Sequence, residues 1–237
     1  MTWVAWRQHR WVVAGFAGLF AVLGAVFLAA ELSGNGSLLV WGGTVVGGVP
    51  GFLRGLGEVN NGFAPLPIAV GMLAGAPLLA AELEHGSHRY SWTQAVSRNR
   101  WLTTKALMLG GAVTAFSAGY AAVHTWWYEP FAAERGWFAI ASQGLLALPA
   151  ACLFTFALGT AAGAVLGRTV PAMATVVIGH LVVLGAERVL VRRPFVLASG
   201  SSADAFWNYQ IIQLGMYVGL AACCFAVAFW AVRNKSS

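Results

Sequence analysis

Charge is scarce in this sequence. Only 9% of its 237 residues are Asp, Glu, Lys or Arg, and 59% are hydrophobic, whereas a soluble domain carries about 25% charged residues. There are too few polar groups to cover a water-facing surface, which excludes a soluble globular domain. Cysteine is also sparse. The three present, Cys152, Cys223 and Cys224, lie in apolar stretches at spacings that suit neither a disulfide framework nor a metal site, and they read as small apolar fillers. No Gly-rich loop ending in Gly-Lys-Ser/Thr occurs, so the chain has no P-loop for nucleotide phosphates. Nor is there a G-x-S-x-G nucleophile elbow. The carboxylates are few and scattered, and nothing points to catalytic residues or to a metal.

What the sequence has in abundance is long apolar runs. A hydrocarbon core about 30 Å thick needs about 20 apolar residues in helix. Residues 11–30, 102–123, 138–166, 171–191 and 211–232 meet that length, and residues 63–81 nearly do, without a charge. Backbone groups in lipid must be paired within the segment, so these runs are expected to be helices. The first is too long for a signal-peptide core and reads as an uncleaved span. The expectation is an all-α membrane protein: one transmembrane domain over residues 1–237, a bundle of six helices.

Residues 37–53 are apolar but carry Gly42, Gly43, Gly47, Gly48, Gly51 and Pro50. They suit a seventh span or a re-entrant loop. The distribution of cations arbitrates, because cytoplasmic loops are enriched in Lys and Arg. With six spans and both termini inside, Arg7, Arg10, Arg89, Arg98, Arg100, Lys105, Arg168, Arg233 and Lys235 face the cytoplasm. Five face outward: Arg54, Arg135, Arg188, Arg192 and Arg193. A seventh span would equalise the two sides. Six spans keep the bias, in the cell membrane, and tryptophans such as Trp3, Trp6, Trp92 and Trp126 sit at the expected interfaces. The net charge of +6 is read the same way, as lipid contact rather than nucleic-acid binding.

Two polar features stand out. Residues 82–100 form the longest polar stretch, between the second and third runs, with a break at Gly86 and Ser87. They suit a short amphipathic helix at the membrane surface that docks a partner. Within it Glu84, His85 and His88 are close together, but their order is not that of a zinc-binding H-E-x-x-H helix. His180 is the other feature, an ionisable side chain in mid-span and so a candidate for a substrate path. Ser142, Gln143, Thr155 and Thr160 pose the same choice between lining a path and bonding helix to helix. Glycines recur at four-residue intervals, Gly71 and Gly75, Gly159, Gly163 and Gly167, Gly215 and Gly219. Such spacing smooths a helix for close approach, within one bundle or between subunits.

The run GAPLLAAELEHGSHRYSWTQAVSRNRW, residues 75–101, resembles permease subunits of type 2 ABC exporters in the form common in actinobacteria. MTWVAWRQHR at the start is similar to that group's N-terminal amphipathic interface helix, and ALGTAAGAVLGRTVPAMA, residues 157–174, to its fourth-to-fifth span junction. The resemblance implies two permease chains, identical or different, with two cytosolic ABC ATPase subunits that bind the ATP and Mg. It places Glu82, Glu84, His85, Gly86, Ser87, His88, Arg89, Trp92 and Thr93 in the short cytoplasmic coupling helix and its flanks, resting on the ATPase. It places Trp3, Trp6, Arg7 and Arg10 in the interface helix. Ala81 departs from the family's usual arginine, and residues 37–62 are more apolar and glycine-rich than the family pattern. The implied function is export of an antibiotic, peptide or lipid-like substrate, as in multidrug or antibiotic resistance. Two other readings stay open: a membrane scaffold or sensor without transport, and an intramembrane hydrolase using Glu84, His85 and His88.

Overall fold

The computed structural model describes residues 10, 13–25, 65–84, 98–200 and 202–234. Among the described residues the chain is all helix and turn, with no strand. Helix α1 covers Val13–Ala25, an apolar stretch that among the described residues is shorter than a membrane span. Helix α2 is built from Pro65–Val70, a π-helical turn Gly71–Gly75 and Ala76–Glu84. Helix α3 is Arg98–Tyr128, α4 is Ala147–Leu166, and α5 is Thr169–Glu187, continued through a π-helical turn Arg188–Arg192 into Arg193–Ser199. Helix α6 is Ala203–Asn234. Five of these, α2 to α6, are long and apolar enough to cross a membrane.

Helix α4 is the axis of the bundle. It packs against α2, α3, α5 and α6, and 83% of its span is buried, against 22% for α5 and for α6. Its sequence, ALPAACLFTFALGTAAGAVL, explains why: small side chains let four neighbours approach. A Cβ on Gly159 would lie 2.5 Å from the Gly71 carbonyl oxygen, and one on Gly75 would lie 2.5 Å from that of Phe156. Gly71, Gly75, Gly159 and Gly163 thus serve packing inside the bundle, while Gly215 and Gly219 on α6 have nothing within 4 Å. Gly167 has another task. It ends α4 in the left-handed conformation, φ 64°, with its N–H on the Gly163 carbonyl at 3.0 Å.

The elements differ from the expected runs at their ends, each time for a local reason. The run 138–166 is not one helix. Trp137–Ile140 is a 3-10 turn, residues 141–146 form turns, and α-helix begins at Ala147. There the Gln210 side chain lies so close to Gly144 that a Cβ would be 2.5 Å from it. It also accepts from the Ala147 N–H at 3.0 Å and the Leu146 N–H at 3.3 Å. Helix α6 starts eight residues before the apolar run at 211, because Ser202 Oγ accepts from the Ala205 N–H at 3.2 Å, a helix cap that hydropathy does not register. Helix α5 passes beyond residue 191 through its π-helical turn to Gly200.

Both ends of the bundle can be named by what they carry. One end, the loop end, holds the C-termini of α2 and α4 and the N-termini of α3 and α5, and therefore the limits of residues 82–100. The opposite, far end holds residues 129–146 and the α5–α6 junction. It is rich in aromatic rings: Trp127, Tyr128, Phe138, Phe206 and Tyr209 pack together with Trp137, Phe195 and Trp207 around them.

Candidate functional site

At the loop end, three helices are tied together by the two glutamates that open residues 82–100. Glu82 on α2 is ion-paired with Lys105 on α3. The Lys105 side chain is 4% exposed, and its Nζ lies 4.5 Å above the Trp101 ring, which supplies a second attraction for the ammonium group. Two residues on, Glu84 Oε2 accepts from the Thr169 N–H at 3.2 Å and from Thr169 Oγ1 at 3.0 Å. The start of α5 has unpaired N–H groups and the positive end of a helix dipole, so a carboxylate is the natural partner there. Arg168, the residue before α5, is extended at φ −134°, ψ 134°, so the α4–α5 junction is a sharp bend held by Gly167 on one side and Glu84 on the other. Glu84, Gly167, Arg168, Val170 and Pro171 line an open cleft of about 610 Å³.

Of the residues expected in the coupling element, the structure thus brings Glu82 and Glu84 into one site. His85, Gly86, Ser87, His88, Arg89, Trp92 and Thr93 lie outside the described residues, as do Trp3, Trp6 and Arg7 of the expected interface helix. Arg10 is helical and exposed. Among the described residues, no group of three or more His, Cys, Asp or Glu is placed to hold a metal.

The five residues weighed for a substrate path are spread through the bundle. Ser142, half-buried, and Gln143, buried, lie in the turns before α4 at the far end. Thr155 is buried in mid-helix and its Oγ1 donates to the Cys152 carbonyl at 3.1 Å, while its own carbonyl faces Gly71 of α2. Thr160 bonds back likewise, to the Phe156 carbonyl at 2.8 Å. His180 is 1% exposed, 6.5 Å from the Phe154 ring, and neither of its ring nitrogens has a hydrogen-bond partner among the described residues.

A polar chain that sequence reasoning passed over crosses the far end. Gln213 Nε2 donates to Glu187 Oε1 at 3.2 Å, and Gln210 Nε2 donates to Gln213 Oε1 at 3.2 Å and to the Ala141 carbonyl at 2.9 Å. Arg192 Nη2 donates to the Phe138 carbonyl at 2.5 Å. A signal for it was present. Glu187 is the one acidic residue inside the six apolar runs, and Gln210 and Gln213, three apart, share a helix face.

With two loop-end carboxylates gripping α3 and α5, the end of α2, the start of α3 and the α4–α5 junction are held together. A family model described as ABC-2 membrane transporter related matches residues 54–192, more than half of the chain, including residues 75–101 and 157–174. The chain belongs to that family. Comparison with curated proteins and with solved structures gave no match. Membership in the ABC-2 membrane transporter related family makes this chain a multi-pass membrane protein of the ABC-2 permease type, a kind of subunit that works alongside an ABC ATPase. It agrees with the resemblance drawn from residues 75–101, and it favours neither the scaffold nor the hydrolase reading.

Proposed function

We propose that the chain is the transmembrane subunit of an ATP-driven exporter in the cell membrane, moving an apolar or amphiphilic substrate outward. Two copies of a cytosolic ABC ATPase bind the ATP and Mg. A second permease chain, identical or different, completes the pathway, and both termini of this chain are cytoplasmic. The observation that carries this reading is the grip of Glu82 and Glu84 on α3 and α5. A displacement of residues 82–100 by an ATPase at the membrane surface would reach α2, α3 and α5 at once, through a charge pair and a capped helix start. That is the mechanical requirement of alternating access, in which helices rock around a central path. The scarcity of charge in the spans favours an apolar or amphiphilic cargo, such as an antibiotic, a peptide or a lipid, over an ion.

The test is assembly. The chain is coexpressed with a tagged ABC ATPase and recovered in detergent, alongside a variant in which residues 85–93 are replaced by a Gly-Ser linker of equal length. The expected result is that the variant stays monodisperse but loses at least about tenfold in ATPase recovered, the factor given by a loss of about 1.4 kcal/mol. Undiminished recovery, or ATP hydrolysis by the purified chain alone, would overturn the proposal. Export restricted to small hydrophilic ions would overturn the substrate class.

A further inference from the structure

We infer that the hydrogen-bonded chain Glu187, Gln213 and Gln210, with the separate bond from Arg192 to Phe138, is a latch that holds the far end of the bundle shut and parts when substrate leaves there. The inference rests on the export reading for its direction. Apart from the Gln210–Gln213 bond within α6, every link joins different elements. Arg192, in the π-helical turn of α5, holds Phe138. Glu187 on α5 is held by Gln213 on α6. Gln210 on α6 holds Ala141 and accepts from Leu146 and Ala147. Together they fix α5, α6 and residues 138–147 in one arrangement.

The choice of side chains is what separates a latch from ordinary packing. Glu187, Gln210 and Gln213 are all no more than 4% exposed. Burying a carboxylate and two carboxamides is expensive, and apolar residues of similar size would hold this end at least as firmly. Polar links have a different property. Their donors and acceptors exchange partners with water at small net loss when the end opens, whereas apolar contacts would lose their full burial. They also restore a single register on closing, because each bond is directional.

The backbone agrees. Residues 137–146 are 3-10 helix and turns between two spans, and irregular backbone at membrane depth is tolerated where protein covers it or water lines it. A latch alternates between those two conditions. Arg192 reaches Phe138 from a π-helical turn, a distortion found mostly at functional sites.

Ala141 reports the state of the latch, since its side chain is 2% exposed and its carbonyl accepts from Gln210. Ala141→Cys is expressed in whole cells, and its rate of labelling by a membrane-impermeant maleimide is measured after subtracting the labelling of the chain without it. Gln213→Ala is expected to raise that rate about fivefold, the equivalent of about 1 kcal/mol for one net hydrogen bond. Arg192→Ala, which severs a link at a half-buried position and spares the core, is expected to raise it similarly. Glu187→Gln, whose amide oxygen still accepts from Gln213, is expected to stay within twofold of the parent. With the ATPase bound and ATP supplied, the otherwise unaltered chain is expected to label as fast as Gln213→Ala does.

Unchanged labelling in both Gln213→Ala and Arg192→Ala overturns the latch. Labelling that stays flat through ATP turnover in a verified complex overturns its role in release. Because the first comparison needs no ATPase, a failure of ATPase binding would strike the export reading and leave the latch measurement standing.

Discussion

Glu82 and Lys105 stand on different helices, yet their charges meet in a pocket where Lys105 is almost wholly enclosed, with Trp101 beneath its ammonium group. The pair closes the loop end across the two limits of residues 82–100. Removing one partner strands the other. Lys105→Met is expected to destabilise the chain by about 3 kcal/mol, and Lys105→Met combined with Glu82→Leu by markedly less, because no buried charge remains. Thermal unfolding in detergent for the two single variants and the double variant measures the difference.

The α2–α4 contact leaves no room for a methyl group. Gly159→Ala puts a Cβ 2.5 Å from the Gly71 oxygen and is expected to lower stability by about 1–3 kcal/mol through overpacking. Gly219→Ala meets open space and is expected to change stability by less than about 0.5 kcal/mol. A melting-temperature comparison of the two separates packing inside the bundle from a general intolerance of glycine replacement.

Gln210 does the work of a helix cap from another helix. Gln210→Leu leaves the Leu146 and Ala147 N–H groups and the Ala141 carbonyl without this partner. A loss of about 1–3 kcal/mol is expected, together with faster hydrogen exchange at residues 146 and 147. Exchange mass spectrometry over the peptide covering α4's first turn reads it directly.

His180 contributes two ring nitrogens without hydrogen-bond partners among the described residues to an otherwise apolar contact with Phe154. His180→Phe removes buried polar atoms at similar volume and is expected to hold stability or raise it by about 1 kcal/mol. If the same variant abolishes export while its melting temperature holds, the nitrogens serve the substrate. Export at the parental rate removes His180 from the path.

The helical character of the chain was legible because hydropathy runs and the backbone's need for internal pairing act residue by residue. Boundaries were less so. Hydropathy ended the third run at Val123 and began the last at Ile211, whereas α3 reaches Tyr128 and α6 begins at Ala203. Polar residues at a helix end lower the average without breaking the helix, and a cap such as Ser202 acts through one bond. The break at residues 137–146 was invisible for the converse reason, since an apolar run has the same composition whether or not it is helical. At the site, Glu82 and Glu84 were picked out by their place in a polar stretch, but their partners Lys105 and Thr169 are 23 and 85 residues away. No local pattern pairs them. Glu187 and Gln213 were readable as unusual residues and unreadable as neighbours, being brought together only when α5 and α6 dock.

Helix α4, packed among four others and rich in alanine and glycine, has consequences for how such a chain can diversify. A side chain that grows at its buried positions, Gly159 and Gly163 first, collides with a neighbour, so variation suited to new cargo must accumulate mainly on the outward faces of α3, α5 and α6. Distant kin that have lost every other likeness should still share a central segment of closely spaced small residues, an heirloom kept by geometry rather than by chemistry.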